Sequence, residues 1–215
     1  MSPMGAPPKT DPPYVPLRSG GWPVQRRTPR WLLLIGVAML AGAVLVGLVH
    51  KPSQAQRAAD LKSFLAAMRT GTESCAGGVS ESLTALRGIG SGPGAAARAS
   101  DTVKIARTGA ANCQLANSEP IADLAQYQVN ESLARFHLET VVNDLVLWCS
   151  QHATRVQEDV ASEAGAQSAA ARQRAAAALR RDEAALNAER AKIDKVLQHA
   201  IEATGSTEHV LPLPG

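Results

Sequence analysis

Leu61-Lys62-Ser63-Phe64-Leu65-Ala66-Ala67-Met68-Arg69-Thr70-Gly71-Thr72-Glu73-Ser74-Cys75, continuing to Ile89, is the stretch that decides the fold. Within it Leu61, Leu65, Met68, Thr72, Cys75, Val79, Ser82, Leu86 and Ile89 advance in alternating steps of four and three. Such steps keep successive side chains on one stripe of an α-helix, the seven-residue repeat of a bundle or coiled-coil seam. Gly77-Gly78 interrupts the repeat, and a bend is expected there. Gly88-Ile89-Gly90-Ser91-Gly92-Pro93-Gly94 then ends it in a turn.

Toward the C-terminus the same period returns. Ala99, Val103, Ala106, Ala110 and Cys113 form a second, small-sided seam. Ser118 and Pro120 predict a short helix through Tyr127, and Asn130 is the expected cap of a third long helix. That helix gathers Leu138, Val141, Val142, Leu145, Trp148, Cys149, His152 and Val156 on one face, with Gly165 as its stop. A last helix from about Ala169 to Thr204 aligns Leu179, Leu186, Ile193, Leu197 and Ile201. Gly205 closes it, and residues 206–215 are expected as a flexible tail. No alternating β-branched run bounded by turns occurs, so no strand is assigned.

Toward the N-terminus lies Trp31 to Val49, nineteen residues without a charge. At about 1.5 Å per residue they span roughly 29 Å, close to the hydrocarbon thickness of a bilayer. Arg18, Arg26, Arg27 and Arg30 precede the stretch, against Lys51, Arg57 and Lys62 after it. By the positive-inside rule the N-terminus is cytoplasmic and residues 52–215 are extracytoplasmic. A cleaved signal peptide is the competing reading, with Ser53-Gln54-Ala55 as its cleavage site. The length of the apolar run argues against it. Residues 1–30 carry eight prolines and read as a disordered, basic cytoplasmic tail.

The expected architecture is all-α: one N-terminal transmembrane helix (31–49), then an extended antiparallel four-helix bundle (52–205). Residues 52–215 hold sixteen basic and eighteen acidic side chains, so the basic balance belongs to the segment before them. A cationic segment beside the span suits anionic lipid, whereas the bundle lacks the basic face that nucleic acid requires.

Three cysteines, Cys75, Cys113 and Cys149, follow the apolar stretch. With Pro93 as the mirror point, Cys75 lies eighteen residues before it and Cys113 twenty after. Antiparallel helices carry both to nearly one height, on facing seams, so they are the disulfide candidate. The alternative is three reduced, buried thiols. Cys149 beside Trp148 reads as core. His152 is the one candidate for a pH-sensitive group, weighed against a packing histidine.

Sites with known chemistry are not encoded. No Glu-x-x-His or His-Glu-x-x-His pattern offers metal ligands, and the glycines at 88–94 follow a helix and carry no lysine. No Cys-x-x-Cys pair or Gly-x-Ser-x-Gly elbow is present. No catalytic, metal or cofactor residue is therefore assigned.

Ser74-Cys75-Ala76-Gly77-Gly78-Val79, Glu81-Ser82-Leu83, Ala111-Asn112-Cys113 and Tyr127-Gln128-Val129, after a basic N-terminal anchor, form a set of landmarks. Together they resemble uncharacterised actinobacterial single-pass membrane proteins with a helical extracytoplasmic domain. The resemblance implies a bacterial envelope protein and supplies no activity. The expectation is a non-enzymatic interaction protein at the plasma membrane. Its partners would be the lipid bilayer and an envelope protein or a second copy. A ligand-sensing module signalling through a partner is the alternative.

Overall fold

The computed structural model describes residues 51–214, and every regular element among them is helical. The all-α expectation holds. The tail 1–30 and the apolar stretch 31–49 lie outside the described residues. No helix among the described residues is long and apolar enough to cross a membrane.

Helix α1 (Gln54–Arg87) starts at Ser53, whose Oγ accepts from the Gln56 N–H at 3.1 Å. This satisfies one of the donors that a helix start leaves free. The helix continues without a break through Gly77-Gly78, contrary to the expected interruption. Each glycine costs about 1 kcal/mol against alanine in a helix, less than the packing of a long buried face returns. Leu61, Leu65, Met68, Thr72, Cys75, Val79 and Ser82 are all buried, as their spacing requires. The two hydroxyls on that seam each find an acceptor within the helix. Thr72 Oγ1 donates to the Met68 carbonyl at 2.9 Å and Ser82 Oγ to the Gly78 carbonyl at 2.7 Å.

Gly90, Gly92 and Gly94 in the following turn have φ of +59°, +94° and +82°, where a side chain would be strained. Arg98 clasps this turn from helix α2 (Ala95–Cys113), donating from Nε to the Ile89 carbonyl at 2.8 Å. Helix α3 (Glu119–Ala125) is short and carries Pro120 in its first turn, but the Ser118 side chain caps nothing.

The third long helix does not start at Asn130. A 3-10 stretch (Glu131–Phe136) comes first and ends at His137, a non-glycine residue at φ +53°. Leu133 and Phe136 bury themselves from this stretch, and Ser132 Oγ donates to Asp60 Oδ2 on α1 at 2.5 Å. Those tertiary contacts hold it in the tighter winding. Helix α4 (Leu138–Leu147) then runs through a π-helical segment (Trp148–Ala153) into α5 (Thr154–Ala164), forming one rod. Helix α6 (Ala169–Thr204) is capped by Ser168 Oγ and closed by Gly205 at φ +66°.

Neighbouring rods alternate in direction. Cys75 and Gly78 of α1 face Cys113 and Gly109 of α2. Gln157 of α5 reaches the same level of α2, whereas Val103 lies beside Gly165. Gln54, at the start of α1, meets Gly205 at the end of α6. One apolar cluster runs through all of them, with Trp148, Phe64, Leu145, Leu186, Ile193 and Leu197 among its fully buried members. Burying each such side chain contributes about 1.5–3 kcal/mol.

The expectation of a flexible tail over 206–215 is corrected for its described part. Leu211 and Leu213 are each 3% exposed and belong to the central cluster. Two buried leucines outweigh the freedom of a loose end when a groove receives both.

Candidate functional site

Where α1 crosses α2 the chain has almost no side-chain bulk. A Cβ built on Gly78 would stand 3.1 Å from the Gly109 Cα, and one on Gly109 would overlap the Gln157 amide. That close approach brings the Cys75 and Cys113 sulphurs to disulfide-bonding distance, with Cα atoms 4.8 Å apart. The pairing joins the two residues singled out by their matched heights. Closing a loop of this size stabilises the fold by about 4 kcal/mol in the chain-entropy model.

Gln157, fully buried, fills the space beside the bridge. Its Nε2 lies 3.0 Å from Cys113 Sγ and donates to the Ala153 carbonyl at 3.3 Å, while Oε1 accepts from Ser82 Oγ at 3.5 Å. The third cysteine is close by, since the Cys149 carbonyl lies 4.0 Å from Cys75 Sγ. Burial pushes the Cys149 thiol up to about 12. A thiol raised that far carries little of the thiolate that disulfide exchange requires at neutral pH. The π-helical turn places Cys149 here, and Thr154 Oγ1 takes up its carbonyl at 3.2 Å.

His152 sits half-buried on that π-helical turn, and no side-chain hydrogen bond or ion pair engages it among the described residues. Acidic side chains occupy the neighbouring interface instead. Asp159 of α5 faces Asp182 of α6, and its carboxyl is pushed up to about 6. Burial is the first cause. The hydrogen bond to Asp182 and the charge of that group follow, with Arg181 opposing them and Glu158 adding to them. Further along α6, Glu189 is buried and its Oε2 accepts from Lys192 Nζ at 2.6 Å. Asp144 of α4 is raised by burial and then by the Glu189 charge, against Lys192. Among the described residues no group of three His, Cys, Asp or Glu side chains is placed to hold a metal ion.

The third feature is a groove beside α1 and α6 that holds the segment after Gly205. Lys62 Nζ of α1 lies 3.4 Å from Glu208 Oε1, and Leu211 and Leu213 follow into the cluster. A cleft of about 550 Å³ continues past Leu213 and Pro214, over Thr72, Ala76 and Ser80 of α1 with Arg190 of α6 beside it. Reading the sequence as a fraying tail missed this groove. The signal was present in Val210-Leu211-Pro212-Leu213, an apolar run too short to form an element of its own. Gln157, Asp159 and Glu189 were missed for the opposite reason, being polar residues at positions that look solvated by composition.

The arrangement offers a groove that takes up the segment after Gly205, and a buried bridge with a protonated thiol close by. No protein family, curated protein or solved structure matches this chain.

Proposed function

We propose that this chain is a membrane-anchored, non-enzymatic interaction protein of the bacterial cell envelope. In this reading the apolar stretch 31–49 is a single-pass anchor with the N-terminus cytoplasmic, and the helical part works outside the cytoplasm. The observation that carries the reading is the groove beside α1 and α6, which holds a non-helical apolar segment against a helical framework.

Three further features support it. Nineteen uncharged residues follow the cluster Arg26, Arg27 and Arg30, the order a cytoplasmic N-terminus requires. A bridge between Cys75 and Cys113 suits an oxidising compartment. The remaining thiol is too strongly protonated to serve as a nucleophile.

The test is twofold. Alkaline extraction and protease protection of the full-length chain in cells should leave it in the membrane fraction, with residues after His50 accessible only from outside. Site-specific photo-crosslinkers at exposed positions beside the groove, such as Glu73 and Ser80, should then capture a defined envelope protein. A chain recovered in the soluble fraction would overturn the anchor. Crosslinking no stronger than at Arg107, on the exposed face of α2, would overturn the interaction role.

A further inference from the structure

The groove beside α1 and α6 already holds a ligand, and that ligand is part of the same chain. We infer that the groove is a recognition site for an extended segment of a partner protein with the pattern Glu-x-x-Leu-Pro-Leu, and that residues 206–214 occupy it as a displaceable stand-in. This rests on the interaction-protein reading and names the chemistry its partner carries.

The docked segment shows what the groove selects. Its acidic end is met by Lys62, 3.4 Å from Glu208 Oε1. Three residues on, Leu211 enters the apolar cluster, and Leu213 enters it again, each 3% exposed. Pro212 between them stays exposed, and the Leu213 N–H donates to the Leu211 carbonyl at 2.9 Å. This three-residue turn puts both leucines on one side, and the proline fixes its φ in advance. A segment so restricted before docking loses little freedom on binding.

The segment is held in a way that permits exchange. Among the described residues its main-chain hydrogen bonds run within itself or back to the end of α6, as from the Ser206 N–H to the Ile201 carbonyl at 3.1 Å. None ties it to α1. Side chains hold it: two leucines, the partly buried Val210 and one ion pair whose lysine is 72% exposed. Gly205, at φ +66°, is the pivot from which it leaves α6. Any segment offering the same side chains can replace it, once its concentration exceeds the effective concentration that the tether gives the resident one. The groove also has room to spare. The cleft continues over Ala76, Gly77 and Ser80, where a Cβ on Gly77 would meet nothing within 4 Å.

The test uses the full-length chain with Leu211→Asp and Leu213→Asp, which frees the groove. The probe is a labelled nonapeptide with the sequence of residues 206–214, followed by fluorescence anisotropy. One peptide should bind per chain, about tenfold or more tighter than to the unmodified chain, whose own segment competes. Adding Lys62→Glu should weaken binding about threefold, and a peptide carrying Glu208→Lys should recover that loss. A double variant with unchanged helical circular dichroism that fails to take up the peptide overturns the inference. So does dimerisation of the unmodified chain by exchanged tails, because the occupant would then be a second copy. If the double variant loses its helical signal, Glu208→Lys in the full-length chain replaces it, and peptide uptake above that of the unmodified chain is still required. Saturating peptide also separates this site from the broader reading. Crosslinked partners that persist in its presence sink the groove and keep the interaction role, whereas their loss supports both.

Discussion

Between α1 and α2 the chain brings backbone against backbone, whereas between α5 and α6 it brings carboxyl against carboxyl. The first interface is made by Gly78, Gly109, Ala106 and Ala110 around a covalent bridge. The second adds Asp159 and Asp182 to aliphatic contacts from Val156, Val160, Leu179 and Leu186. Shape determines the first, so it responds to the volume of a single methyl group and hardly to solvent. The second carries a carboxyl whose affinity for a proton is raised by burial and by Asp182, so a response to pH is expected there. A helical domain rich in alanine thus has two distinct means of holding its helices together, and each fails under a different perturbation.

Breaking the bridge should give the largest effect. Replacing Cys75 and Cys113 by alanine removes about 4 kcal/mol in the chain-entropy model. For a domain of this size that lowers Tm by about 8–16 °C, read by thermal circular dichroism. Mass spectrometry of unreduced peptides should find Cys75 linked to Cys113. A Cys149-containing linkage would show the helix register to be wrong. Gly109→Ala comes next, because its new methyl must displace the Gln157 amide from beside the bridge. Overpacking of this kind costs about 1–3 kcal/mol. Gly77→Ala sharpens the contrast from the neighbouring turn of α1, since open space surrounds that position. There the helix should gain up to about 1 kcal/mol from the lost backbone freedom of the unfolded chain. Equal effects of the two substitutions in urea denaturation would remove the shape argument.

Much of this was readable before any coordinates. Leu61 to Ser82 announce their burial by spacing alone, and the heights of Cys75 and Cys113 follow from counting residues to the turn at Pro93. Periodicity works here because an apolar stripe needs only a neighbour, whichever neighbour it is. It fails at the 3-10 stretch, where Leu133 and Phe136 are placed by contacts with distant parts of the chain rather than by a local repeat. It fails again at Gln157, Asp159 and Glu189. Whether a polar residue on a helix meets water or another helix depends on the rotation of the rod, and for Gln157 and Asp159 the π-helical turn at Trp148–Ala153 just before them changes that rotation. The Asp159–Asp182 pair lies two turns beyond His152, and no sequence pattern announces it.

The smallest expected effect belongs to that carboxyl, because Asp159 is only half-buried and water screens part of its interaction. Its ordinary value of 3.8 is pushed up to about 6, first by burial and then by Asp182. The folded state therefore keeps a proton that the unfolded chain releases at lower pH. The stabilisation from this proton is complete below about pH 4 and is lost as pH rises through about 6, the reverse of an ion-paired carboxylate. Asp159→Asn replaces the proton by an amide donor to Asp182 that no pH removes. Its Tm should thus match that of the unmodified chain near pH 4 and exceed it by a few degrees at neutral pH, with the difference growing across the interval between. Parallel Tm curves would show that the two carboxyls do not share a proton. In that case the α5–α6 interface, like the α1–α2 crossing, would be governed by shape alone.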